Sequence, residues 1–215
     1  MTPQKPILIY IFDPLCGWCY GFSPVIRQLH AELGGQFHFE VWSGGMVTGD
    51  RVQPMSVMKD YILQAIPRLE ATTGVVVGTP FRERLIDGTT ISNSEPPSRA
   101  FTLLKQAAPD RQVYWGSAIQ QVIYVEGKDA NLPETYFALA SEAGMEEQDF
   151  LSRWNDPATA AATQAEFEQV AKIGVRGFPS LLLYHNEQLM QVAYGYRTFE
   201  SLYGMLSNPE ALPVR

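Results

Sequence analysis

Residues 7–12, ILIYIF, form an unbroken apolar run that Pro14 brings to a stop, the pattern of a strand buried on both faces inside a sheet. The period then changes. From Trp18 the apolar positions Phe22, Val25, Ile26, Leu29 and Leu33 recur every three or four residues as far as Gly34 and Gly35, which predicts a helix and its end. Pro24 falls inside that helix, where it removes a hydrogen bond and is expected to bend the axis. Residues 37–42, FHFEVW, alternate as a half-buried strand does, until the glycines of SGGMVTGD. Short segments bounded by Pro, Gly or Asp follow: MSVMKDYILQAIPRL, with Met55, Met58, Ile62, Ile66 and Leu69 on one face, then SRAFTLLKQAA, RQVYWGSAIQQVIYVEG, PETYFALASEAG and MEEQDFLSRW. They predict a compact block of helices. The last stretch returns to mixed patterning. PATAAATQAEFEQVAKIG reads as a helix ending at Gly174, PSLLLYHNEQLMQVAYG as two strands around a turn at 185–188, and TFESLYGMLS as a helix started by Thr198.

In order the chain is β-α-β, a helical block, then α-β-β-α. Two such halves build an α/β fold with a central mixed sheet flanked by helices. This is thioredoxin-like topology interrupted by an all-helical insertion. Residues 1–50 and 156–215 are expected to form a discontinuous thioredoxin-like domain, and 51–155 the insertion.

Composition narrows the function classes. At 215 residues and 24.0 kDa the chain can build its core without disulfide staples. No apolar stretch approaches bilayer length, so no membrane partner is expected. A net charge of −7 without a basic run argues against nucleic acid. The apolar hexamer near the N-terminus is shorter than the roughly 7–15 residues of a signal-peptide core, and no small-residue cleavage site follows it, so a cytoplasmic location is expected. In a reducing compartment disulfides seldom serve as staples, and closing the loop between Cys16 and Cys19 would stabilise little.

Those are the only two cysteines, in the sequence Cys16-Gly17-Trp18-Cys19, where the first strand gives way to a helix. A cysteine pair serves as a redox dithiol, as metal ligands or as small buried hydrophobes. The strand-to-helix junction favours redox use. His30, His38 and His185 have no paired spacing, whereas tetrahedral zinc takes four ligands, so no metal is expected.

With this motif, the helical insertion, the long helix and Gly177-Phe178-Pro179-Ser180 before the hairpin, the chain resembles the DsbA-like family of thioredoxin-fold proteins over nearly its full length. Without an export signal it looks more like the cytosolic, CxxC-containing branch of predicted dithiol-disulfide isomerases than like the periplasmic oxidase. The resemblance implies that Pro179 is a cis-proline beside the cysteines and that the backbone of Phe178 pairs with an extended substrate. It implies a disulfide-containing protein or small-molecule thiol as substrate, with no cofactor beyond glutathione as a redox partner. A related branch, the kappa-class glutathione transferases and 2-hydroxychromene-2-carboxylate isomerases, carries serine where this chain has Cys16.

The thiolate is the attacking species, and a helix N-terminus stabilises an anion. Cys16, at the helix start, is therefore expected to attack, and Cys19, one turn further in, to resolve the mixed disulfide. Gly17 and Trp18 are expected to tune the redox potential, Trp18 also offering substrate an apolar surface. Thioredoxin and the periplasmic oxidase carry a buried carboxylate six residues before the first cysteine; this chain has Tyr10. Asp13 is read first as a turn former and second as a substitute for that carboxylate. Residues 89–99 read as a loop, in which the resemblance makes Asn93 and Ser94 contact candidates, and Met46, Met55 and Met58 as helical core before an adaptable surface. Three functions follow: a thiol-disulfide oxidoreductase or isomerase, a glutathione-dependent transferase or isomerase engaging glutathione through Cys16, and a non-catalytic redox-sensing or metal-binding module.

Overall fold

The computed structural model describes residues 5–207; residues 1–4 and 208–215, assigned above to the thioredoxin-like part, lie outside the described residues. Strand β1 (Ile7–Phe12) occupies the interior of a four-stranded sheet. It pairs in parallel with β2 (His38–Ser43), Ile7 opposite His38, and antiparallel with β5 (Ser180–His185), Ile9 opposite Leu182. Strand β6 (Gln188–Tyr194) pairs antiparallel with β5 at the sheet's other edge. The turn between β5 and β6 places Asn186 and Glu187 at φ 49° and 61°, the left-handed pair that a two-residue hairpin loop requires.

The unbroken apolar run of β1 follows from its burial on two sides. Leu8, Tyr10 and Phe12 enter the main core, while Ile9 and Ile11 join Val170 of α8 (Pro157–Lys172) and Leu182 in a smaller cluster behind the sheet. Helix α1 (Gly17–Leu33) buries Phe22, Val25, Ile26, Leu29 and Leu33 at the spacing read from the sequence. It continues through Pro24, which lies on its exposed side.

The intervening region departs from a plain helical block. A one-turn 3-10 segment, Met55–Met58, leads into α2 (Lys59–Thr73). Two-residue strands β3 (Gln53–Pro54) and β4 (Ile91–Ser92) form a small antiparallel ribbon, too short to show a period. Helix α3 (Thr79–Asp87) was not legible because only Phe81 and Leu85 of its nine residues are buried. The expected loop at 89–99 is instead β4 followed by the first turn of α4 (Glu95–Ala107). Pro96 and Pro97 sit in that first turn, where no intrahelical N–H is needed. Helices α5 (Gln112–Tyr124), α6 (Phe137–Glu142) and α7 (Glu147–Trp154) complete the region. Helix α9 (Phe199–Leu206) is capped by Thr198, whose hydroxyl accepts the Ser201 N–H. One cluster of buried side chains runs from Leu8 and Phe12 into Phe101, Trp115 and Ile119, with Phe12 and Phe101 in edge contact at 5.1 Å.

A polar clamp fixes β2 from the other side. Glu166 of α8 accepts the backbone N–H of Ser43 at 2.7 Å and its hydroxyl at 3.0 Å, and pairs with Lys105 of α4. The Lys105 ammonium also donates to the Val41 carbonyl at 3.0 Å. Side-chain exposures of 15% for Glu166 and 21% for Lys105 temper the penalty of breaking the pair. Glu166→Ala is expected to lower the free energy of unfolding in urea by about 2 kcal/mol, and Glu166→Gln by less, since the amide oxygen still accepts from Ser43.

Candidate active site

The site begins where β1 ends. Asp13 is fully buried. Its Oδ1 accepts the Leu15 N–H at 2.9 Å, closing the turn into α1, and the Ser94 hydroxyl at 2.9 Å. Its Oδ2 accepts the Met46 N–H at 2.6 Å. The Asp13 carbonyl accepts the Cys16 N–H at 3.0 Å and Gln120 Nε2 at 3.3 Å, and Tyr124 Oη donates to the Leu15 carbonyl at 2.6 Å. Ser94 in turn takes the Val47 N–H on its Oγ at 2.9 Å and donates its own N–H to the Val47 carbonyl. Burial pushes the Asp13 carboxyl above its ordinary pKa, against the opposing pull of Met46, Leu15, Ser94 and the more distant Arg51.

Held this way, Cys16 is the N-cap of α1. Its Sγ accepts the Cys19 N–H at 3.3 Å, and its thiol donates to the Phe178 carbonyl at 3.5 Å. Cys16 is 5% exposed and Cys19 0%. Burial, followed by the hydrogen bond and charge of Cys16, pushes the Cys19 thiol well above its ordinary pKa. Both thiols are free. Gly17 and Trp18, half-buried, form the rim beside Cys16.

The Phe178–Pro179 peptide bond is cis, and the loop around it is packed from two sides. A Cβ on Gly44 would lie 2.0 Å from Phe178 Cε1, and one on Gly177 2.2 Å from Tyr194 Oη. The Phe178 ring is therefore seated against the backbone after β2, and its carbonyl is the part that reaches the sulfur. At Gly17 a Cβ would meet Leu69 at 3.6 Å, so an ordinary side chain fits there.

The structure brings Cys16, Gly17, Trp18, Cys19, Phe178 and Pro179 to one place. It also supplies neighbours the sequence reading missed. The Arg68 guanidinium of α2 stands 5.9 Å above the Trp18 ring, and the Tyr196 ring is 6.4 Å from it. Neither is separable from a surface side chain by spacing alone. Ser94 is not available to substrate, because it is fully buried in its bond to Asp13. Asn93 Oδ1 accepts the Glu95 N–H at 3.0 Å at the head of α4. Met55 is buried, Met46 packs against the core half-buried and Met58 is exposed, so the three do not make a shared surface. Tyr10, beneath the cysteines, packs its ring against Phe12 at 5.7 Å and Phe22 at 5.6 Å.

The family model for the DSBA-like thioredoxin domain matches residues 7–204. The chain belongs to this family. Among solved structures of similar architecture, a provisionally named protein disulfide isomerase from Nitrosomonas europaea is 27% identical, with a TM-score of 0.84, covering 98% of this chain and 100% of that one. The cytosolic disulfide reductase DsbM from Pseudomonas aeruginosa is 25% identical, with a TM-score of 0.77 over 96% of this chain and 100% of its own. A 2-hydroxychromene-2-carboxylate isomerase shares the fold at 15% identity and a TM-score of 0.64, covering 96% of this chain and 95% of that one. Among curated proteins, the ClpXP adapter protein SpxH of Halalkalibacterium halodurans is 18% identical over 85% of this DsbA-like chain, which spans 60% of that relative's length. No helix among the described residues is long and apolar enough to cross a membrane.

Two outcomes follow from the geometry. The folded Asp13 carboxyl holds its proton above the unfolded pKa of about 3.9, so the folded state binds more protons there and its stability falls as pH rises from about 4. Asp13→Asn is expected to flatten that slope, read as urea midpoints across the acid range. In a double-mutant cycle, Gly44→Ala is expected to cost about 1–3 kcal/mol by overpacking, and distinctly less in a Phe178→Ala background.

Proposed function

We propose that this chain is a thiol-disulfide oxidoreductase in which Cys16 attacks a disulfide and Cys19 resolves the resulting mixed disulfide. The observation that carries the reading is the asymmetry of the two sulfurs. Cys16 Sγ lies at the head of α1 with a backbone N–H directed at it and the rim of Gly17 and Trp18 beside it. Cys19 lies one turn behind, fully buried, placed to attack Cys16 rather than an incoming substrate.

The substrate is a disulfide-bearing protein or small molecule. Its chain would lie against Trp18 and along the backbone of Phe178, whose carbonyl faces Cys16, in the manner of an added strand. Gly17 and Trp18 set the potential through the groups they leave uncovered near the sulfurs, with Pro179 closing the site opposite. The inserted residues 51–155 act as a separate wall whose helix α2 contributes Arg68 to the rim. Likeness to a cytosolic disulfide reductase supports a cytoplasmic location and the reducing direction. Glutathione is the proposed regenerating thiol, since a structure of that reductase contains glutathione.

Cys16→Ser is expected to reduce catalysed insulin reduction to the uncatalysed rate. Cys19→Ser is expected to accumulate a mixed disulfide on Cys16, identified by peptide mass spectrometry after acid quenching. Turnover that survives Cys16→Ser, or trapping on neither cysteine, would exclude the reading.

A further inference from the structure

Two buried side-chain polar atoms among the described residues have no hydrogen-bond partner, Tyr10 Oη and Ser98 Oγ. The first stands at the dithiol. Tyr10 projects from β1 into the main core, 3% exposed, between Phe12 and Phe22. Burial pushes the phenol well above its ordinary pKa, with Cys19 and Cys16 beside it adding to the effect; both cysteines share the ring's buried cluster, yet the hydroxyl makes no hydrogen bond in the dithiol state. A buried hydroxyl without a partner costs stability. Phenylalanine would fill the same space without that cost, so the hydroxyl calls for a use in another state of the molecule.

That state is the Cys19 thiolate. The groups that face Cys19 are Cys16 and Asp13 from the turn before α1, Tyr10 from β1 and Tyr124 from α5. The Asp13 carboxylate accepts three hydrogen bonds and can only repel a thiolate. Tyr124 Oη is committed to the Leu15 carbonyl, and Cys16 Sγ already takes the Cys19 N–H. The Asp13 backbone N–H already bonds Cys19, so Tyr10 Oη is the one uncommitted side-chain donor among them.

Resting on the redox reading above, we propose that the Tyr10 hydroxyl is the side-chain hydrogen-bond donor that stabilises the Cys19 thiolate as it resolves the mixed disulfide. In that step Cys19 Sγ⁻ attacks Cys16 Sγ, and the bond from Cys16 to the substrate sulfur breaks. The Cys16–Cys19 disulfide forms, and the electron pair leaves with the substrate thiolate, which gains the proton that Cys19 gave up. The dithiol is oxidised by two electrons and the substrate disulfide is reduced to two thiols. Tyr10 keeps its proton throughout and lowers the energy of the charge through the hydrogen bond.

The test compares wild type with Tyr10→Phe, which retains the ring contacts and removes only the hydroxyl. Rapid mixing with a disulfide substrate is expected to show attack by Cys16 altered less than about twofold and decay of the mixed disulfide slowed about tenfold. Ultraviolet titration of Cys19 in a Cys16→Ser background is expected to shift upward by about one pKa unit on adding Tyr10→Phe, which equals that tenfold change. A purely structural role would move neither readout. Unchanged decay and an unchanged Cys19 titration, with Cys19→Ser still trapping substrate, would overturn the role of Tyr10 and leave the redox reading standing. Failure of Cys19→Ser to trap would sink the redox reading, and the Cys19 titration would still decide whether Tyr10 supports the thiolate.

Discussion

The carboxyl of Asp13 joins the turn from β1 into α1, the loop after β2 and the head of α4 through three hydrogen bonds on one buried group. Those segments come from residues far apart in the chain, and the dithiol sits on the first of them. A carboxylate suits this place because both oxygens accept, and every group turned toward them is a donor. An amide would turn one donor toward another. Burying the group raises its pKa, so the joint works against the cost of a desolvated charge, and three donors make it tolerable.

From that joint the inequality of the cysteines follows with little else required. A helix directs its free N–H groups at whatever caps its start, and the turn sets Cys16 there. Three residues later the chain has completed most of a turn and faces the core, so Cys19 is covered by the same packing that buries Tyr10, Phe22 and Tyr124. Two chemically identical thiols thus acquire different surroundings from helix geometry and burial.

Much of this was legible in the chain. The apolar run of residues 7–12 and the changed period after Trp18 announced β1 and α1, because burial on two faces and on one face leave different patterns. The strands around Asn186 and Glu187 were legible for the same reason, as was Thr198 as a cap. Helix α3 was not, since its four charged residues outnumber Phe81 and Leu85, and strands of two residues carry no period. Asp13 was readable as a turn former from the Asp13-Pro14 pair, which fits its bond to Leu15, but its bonds to Met46 and Ser94 are tertiary and left no trace in local pattern. The same holds for Arg68 and Tyr196, which reach the rim from other parts of the fold.

The seating of the Phe178 ring against Gly44 has a bearing on selectivity. A half-buried side chain seated against that backbone offers only part of its ring to what lies outside. What the loop presents toward Cys16 is a peptide carbonyl, a group every polypeptide can pair with. Along this edge an incoming chain would be sensed by the course of its main chain, with little regard for residue identity, and preferences among substrates would have to arise across the gap, around Trp18, Arg68 and Tyr196.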